Sequence, residues 1–163
     1  MSPTQIWPEP VKRVSAVLRA AAVDATVQEF PDGTPTAEAA AAAVGVSTDR
    51  IVKSLVFVCD GRYVLALVPG DRRGDAARIA AAAGAAEARI ARPGEVVEAT
   101  GFEPGGVAPF PHLAVTRTFV ERLLFQHATV WIGAGTDTHM ASLNPSDLLR
   151  LAGARAADLV APR

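Results

Sequence analysis

With 163 residues, half of them hydrophobic and a fifth charged, the chain is long enough to bury a core and too apolar to be disordered. A formal net charge of −1 excludes a bulk basic field for nucleic acid and leaves local clusters such as Arg72, Arg73 and Arg78. The single cysteine, Cys59, excludes an internal disulfide or a multi-cysteine metal site, and no uninterrupted apolar run reaches the roughly 18 residues of a membrane span.

The expected elements follow in chain order. Val14, Val17, Leu18 and Ala21 recur at helical spacing between Val11 and Val23, with Pro10 just ahead of them. Thr26–Phe30 alternates as a short strand, broken by Pro31-Asp32-Gly33. Thr36 caps an alanine-rich helix that Gly45 terminates, and Ser47-Thr48-Asp49 caps a further turn. Ile51–Cys59 and Arg62–Val68 are β-rich runs joined by Asp60-Gly61, a strong hairpin signal. Asp75 caps a helix to Ala83 that Gly84 ends. Ala88–Ala91 is a short strand, and Pro93 begins a helix through Ala99. Further on, Leu113–Thr116 reads as a strand, Phe119–Phe125 as a weakly signalled helix, and Thr129–Ile132 and Met140–Leu143 as strands. A last helix starts at Pro145-Ser146-Asp147 and closes at Gly153. No repeat or linker interrupts the run, so residues 1–163 are expected to form one α/β domain of the α+β type, with a mixed sheet.

Thr100 to His112 holds three glycines and three prolines in thirteen residues. Such a segment is neither helix interior nor central strand, because proline removes an N–H and fixes φ while glycine admits shapes closed to other residues. It is a fixed loop presenting main-chain N–H and C=O groups, able to hold a small polar ligand or an oxyanion without a catalytic side chain. Lys53 is the unusual residue of the first hairpin. Alternation places it on one face with Leu55, Phe57 and Cys59, so it either snorkels to water at a strand end or lines a cleft, where its ammonium would suit a phosphate or carboxylate. Cys59 sits in an apolar run and reads as a core residue. The chain has no HExxH, GxSxG, GxxxxGK[ST] or CxxC motif, and His112, His127 and His139 lack ligand-like spacing. His139 follows the Gly133–Thr138 loop, where it could donate a hydrogen bond. Gly133 and Gly135 admit either a close ligand approach or a simple turn.

Taken in order, Thr36-Ala37-Glu38-Ala39-Ala40, Ile51–Phe57 around Lys53, Ala99–Phe102 with Gly105–Pro109, Ala134-Gly135-Thr136, and Pro145–Leu148 resemble the YbaK/ProX family. These are aminoacyl-tRNA deacylases related to the editing domain inserted in bacterial prolyl-tRNA synthetases, and the likeness runs from about Val11 to Leu159. It implies a mixed, barrel-like β-sheet flanked by helices, and hydrolysis of the ester that joins a wrong amino acid to tRNA. It also implies that Lys53 lies near the terminal adenosine, that Gly105–Pro109 is the family's GxxxP loop, and that Phe30 lines the pocket.

An aminoacyl ester is already activated, so the missing triad is what such a site would show; positioned water, or a nucleophile of the substrate itself, can attack. Under this reading Gly105 and Lys53 carry catalysis. The backbone of Gly105, Gly106, Val107 and Ala108 holds the amino group or the oxyanion, with Pro109 closing the loop. Gly135, Thr136, His139 and Met140 shape the far side of the pocket, and Arg72 and Arg73 meet tRNA. Relatives acting on cysteinyl-tRNA carry an acidic residue near Met140, so the resemblance leaves alanine, cysteine, serine and threonine open. Expected partners are the acceptor end of aminoacyl-tRNA and prolyl-tRNA synthetase, with neither membrane nor DNA, no cofactor or metal, and a cytoplasmic location. A non-catalytic binding module of the same fold, or an esterase on small acyl compounds, are the competing readings.

Overall fold

The computed structural model describes residues 6–163. Helix α1 (Glu9–Ala20) carries Pro10 in its first turn, where a missing N–H is harmless, and buries Val11, Val14 and Leu18 along one face. Strand β1 (Val27–Glu29) leads to helix α2 (Ala37–Val44). The Thr36 hydroxyl accepts from the Ala39 N–H at its start, and Gly45 ends it at φ 77°. A 3-10 turn at Thr48–Arg50 feeds the hairpin of β2 (Val52–Cys59) and β3 (Arg62–Pro69). Asp60 and Gly61 are both left-handed, at φ 50° and 81°, the turn whose twist matches the flanking strands. Helix α3 (Ala76–Ala83), capped by Asp75, is followed by β4 (Ala88–Ile90) and α4 (Pro93–Thr100). The chain closes with β5 (Val115–Glu121), a 3-10 segment (Arg122–Gln126), β6 (Val130–Gly133), β7 (His139–Leu143), α5 (Pro145–Leu151) and β8 (Arg155–Ala157).

These strands form a five-stranded sheet in the order β4-β2-β3-β5-β8 and a three-stranded sheet in the order β1-β7-β6. The sheet is mixed as expected: β3–β5 and β5–β8 run parallel, the hairpin and the β2–β4 pair antiparallel. It does not close into a barrel. The two sheets remain open and are linked by an isolated bridge between Ile51 and Trp131, where the start of β2 passes β6.

Alternation along β3 sends Leu65 and Leu67 to one face and Val64, Ala66 and Val68 to the other, all buried. The first face packs with Val52, Val56 and Val120 against α1, β6 and β7. The second packs with Phe57, Cys59 and Phe119 against Ile79 of α3 and Leu159. Burial pushes the Cys59 thiol up, which disfavours the thiolate and fits a core residue. Leu55 joins the second cluster, so Leu55, Phe57 and Cys59 share a face as expected.

Two expectations are corrected here. The strand begins later than Leu113 and extends through Glu121, and the helix expected at Phe119–Phe125 is only the 3-10 segment. The reason is that β5 lies between two parallel neighbours, with Phe119 facing one core and Val120 the other. A strand buried on both faces loses the period-2 signature, and its apolar run is ambiguous with helix. Strand β8 went unread because Arg155-Ala156-Ala157 has no β-rich character, and it forms by backbone pairing to β5. Among the described residues no helix is long and apolar enough to cross a membrane. Replacing Gly61 by alanine keeps the turn but places a β-carbon at positive φ. We expect a loss of about 1–2 kcal/mol, read as a lower midpoint in chemical denaturation with the spectrum of the folded state unchanged.

Candidate active site

A cavity of about 330 Å³ opens where the start of β2, the first turn of α2 and two glycine-bearing loops converge. Thr36, Ala37 and Glu38 bring the N-terminal turn of α2 to one wall, the positive end of that helix dipole. Lys53, Ser54 and Leu55 supply a second wall from β2. Gly105, Val107 and Thr136 supply a third from the loops, and Met140 with Ile51 lies at the apolar end.

Lys53 is half-buried, and its Nζ donates a hydrogen bond to the backbone carbonyl of Arg72. Burial lowers its pKa below the ordinary lysine value. The carboxylates of Glu38 and Asp71 act against that, and the Arg73 guanidinium adds to it. The cleft reading of Lys53 is therefore the one realised: its side chain lines the cavity wall, partly out of water and anchored at one donor. Ser54, next to it, has a buried hydroxyl oxygen without a hydrogen-bond partner among the described residues.

The two loops are held together by the absence of side chains. A β-carbon on Gly106 would lie 2.8 Å from the Thr136 Cα, so only glycine lets these backbones pass. Gly135 touches α1 in the same way, with a β-carbon falling 2.7 Å from the carbonyl of Pro10. Gly105 has φ +89° and nothing within 4 Å of its would-be β-carbon, an exposed left-handed position at the cavity rim. Ala108 and Pro109 are buried behind that rim. On the far side, Thr34 donates from its hydroxyl to the Asp137 carbonyl at 3.0 Å, and the Phe30 N–H donates to the Thr138 carbonyl at 2.7 Å, tying the 30–34 segment to the Thr136 loop.

Of the residues singled out in the sequence, Lys53, Gly105, Val107, Gly133, Thr136 and Met140 line the cavity, whereas Gly106, Ala108, Pro109 and Gly135 do not. Phe30 packs edge-on to Trp131 with ring centroids 6.3 Å apart, in the apolar cluster that holds Met140. His139 is buried behind the wall. Its Nδ1 lies 2.5 Å from the Thr136 Oγ1 and 3.0 Å from the Thr138 Oγ1, its ring meets Trp7 edge-on, and its Nε2 is 3.6 Å from a Glu29 oxygen. Arg72 spends its guanidinium on the Ala161 carbonyl at 2.9 Å, whereas Arg73 is exposed beside Lys53. Glu38, Thr34 and Ser54 were not singled out. Glu38 is indistinguishable from a helix first-turn acid, and only the polar Ser54 inside an apolar run carried a trace of its position. Among the described residues no group of three or more His, Cys, Asp or Glu side chains could hold a metal ion.

A mixed α/β fold here carries a small cavity lined by a half-buried lysine and by glycine-bearing loops. The chain belongs to the aminoacyl-tRNA editing domain family, whose model matches residues 31–151. It is 36% identical over 123 residues to the uncharacterized protein YwhH of Bacillus subtilis, covering 75% of this chain and 78% of that one. It is also 36% identical over 122 residues to the proline–tRNA ligase of Nitratidesulfovibrio vulgaris, covering 74% of this chain but only 21% of the ligase. A solved structure described as a proposed trans-editing enzyme for prolyl-tRNA synthetase superposes with a TM-score of 0.88 at 36% identity, covering 96% of this chain and all of the other.

Two outcomes test this geometry. Gly106→Ala drives a β-carbon into the Thr136 backbone, so we expect about 1–3 kcal/mol of destabilisation, measured by urea denaturation. Burial holds His112 and His139 below the ordinary imidazole value of 6.5, opposed by a Pro109 backbone hydrogen bond for His112 and by Glu29 for His139. As pH falls below 6.5 the unfolded chain takes up these protons first, so stability declines from there until the lower folded-state values are passed. Urea midpoints at several pH values should show that decline, and His112→Gln should flatten it.

Proposed function

We propose that this chain is a trans-acting deacylase that removes a small, wrongly attached amino acid from tRNA-Pro. The observation that carries the proposal is the cavity in which Lys53 faces the Gly105–Val107 backbone, in a member of the editing family whose relatives include proline–tRNA ligases. The reaction needs no side-chain nucleophile. A water oxygen attacks the ester carbonyl carbon, the bond from that carbon to the ribose oxygen breaks, and the water's proton ends on the ribose oxygen. The products are a free amino acid and a tRNA with its terminal hydroxyl restored.

Each wall has a role in that step. Lys53 holds the negative charge of the terminal nucleotide or of the tetrahedral oxygen, and a desolvated ammonium does so more strongly than a solvated one. Gly105 and Val107 present backbone groups to the amino acid, with Gly106, Ala108 and Pro109 fixing the loop behind them. Thr136 and Met140 close the side-chain end, and Phe30, Gly135 and His139 hold that end in shape. A cavity of about 330 Å³ shared with part of the adenosine favours a small side chain. Sterics exclude larger ones, while a single methylene is resolved only by about 10–200-fold. The exposed Arg73 is the proposed phosphate contact beside the mouth, and with a net charge of −1 the affinity should be modest and steeply salt-dependent.

The test is a panel of tRNA-Pro charged with alanine, cysteine, serine, threonine or proline, incubated with purified protein. Release of one non-cognate amino acid is expected, with prolyl-tRNA spared. Lys53→Ala should lower the rate by about 10²–10³-fold while circular dichroism stays that of the folded protein. Full activity in that variant removes Lys53 from the mechanism, and tight binding without release in the unaltered protein would make this a recognition module instead.

A further inference from the structure

Lys53 carries a flexible four-carbon stem, yet its ammonium is held at one donor by the carbonyl of Arg72, a residue in the irregular loop between β3 and α3. A carbonyl in a loop fixes a lysine only if the loop is itself fixed. The last residues of the chain hold it. Val160 bridges antiparallel to Gly74, the Asp75 N–H donates to the Leu159 carbonyl at 2.8 Å, and the Ala161 N–H donates to the Arg73 carbonyl at 3.0 Å. The Arg72 guanidinium reaches across to the Ala161 carbonyl at 2.9 Å, and Arg163 pairs with Asp71. This C-terminal segment is anchored in turn by a buried carboxylate. Glu121, at 2% exposure, accepts from the Leu159 and Val160 N–H groups at 2.7 and 3.2 Å through one oxygen, and from the Leu123 N–H at 2.9 Å through the other.

We propose that Leu159–Arg163, anchored on Glu121, is a strap that positions Lys53 by fixing the Arg72 carbonyl, and that Arg72 is a positioning residue for the site. The buried acid holds the strap, the strap holds the loop, and the loop holds the ammonium in the cavity wall. Glu121 caps the 3-10 segment through Leu123 with one oxygen and holds the strap through Leu159 and Val160 with the other, and a carboxylate this deep is costly without such hydrogen bonds. The part of the proposal that concerns catalysis rests on the deacylase reading above; the part that concerns Lys53 does not.

Lys12 and Lys53 are the chain's two lysines, and Lys12 is an exposed surface residue that serves as an internal reference. The experiment compares the full chain with one ending at Val160, which loses Ala161–Arg163 but keeps every contact of Glu121 and the Gly74 bridge. Limited acetylation with acetic anhydride, read by peptide mass spectrometry, gives the Lys53-to-Lys12 labelling ratio at several pH values. Thermal melting reports the fold. The expected result is a severalfold rise in that ratio with little change in melting temperature, and, on mischarged tRNA, a fall of about tenfold in kcat with KM nearly constant. Arg72→Ala should reproduce both effects and Arg72→Lys should restore part of each, which also covers a truncated chain that fails to fold. An unchanged labelling ratio in a folded variant overturns the strap. A raised ratio with unchanged kcat overturns its role in catalysis. A full-length chain with no deacylase activity still yields the labelling ratio, so failure of the strap and failure of the deacylase reading are told apart.

Discussion

Where Gly106 passes Thr136 and Gly135 passes Pro10, main chain lies against main chain at distances no β-carbon could enter. Those contacts set the position of everything on the loop side of the cavity. Gly106 seats the Gly105–Pro109 loop on the β6–β7 turn, and Gly135 seats that turn on the start of α1. A third contact of the same kind fixes the opposite side, where a β-carbon on Gly70 would lie 2.7 Å from both the Ala37 Cβ and the Thr48 carbonyl oxygen. The cavity is thus framed by backbone, and backbone is less free to relax than side chains are. A site that must place N–H and C=O groups to within a fraction of an ångström gains from such a frame.

On that frame the electrostatics are sparse. One ammonium is drawn partly out of water at Lys53, with Glu38 and Asp71 keeping it charged, and the positive end of α2 lies across from the loop walls. For the deacylase proposed above this little machinery suffices, since the carbonyl of an aminoacyl ester is already activated towards water. Orientation and charge stabilisation supply most of the remaining acceleration. The same economy is why the proposed strap would matter to a lysine it never touches: among the described residues lining the cavity Lys53 is the cation, and its placement bears directly on the site.

Local chemistry was legible wherever a residue acts through its own backbone. The Asp60-Gly61 turn, the Thr36 and Asp75 caps and the Gly45 and Gly84 stops all stand where the sequence puts them, because each satisfies or frees groups within four residues of itself. Lys53 stood out because a charge in an apolar alternation is conspicuous. β5 and β8 were misread or unread because their partners, not their composition, make them strands. Glu38 gives no usable sign and Ser54 only its polarity within an apolar run, since their places depend on which cavity they line.

The sequence by itself determined the α/β class, the hairpin, the caps and stops of α2 and α3, and the glycine–proline loop, all features carried by period, capping and φ. Only the tertiary structure decided that the mixed sheet splits into two open sheets, that Lys53 meets the Gly105 loop, that His139 lies behind Thr136, and that Arg72 turns to Ala161. The reason is physical. Torsional preferences and local hydrogen bonds are encoded by neighbours in sequence, whereas a cavity is lined by segments far apart in the chain, such as those carrying Lys53 and Thr136, and no pattern along the chain records which distant backbone a glycine will let approach.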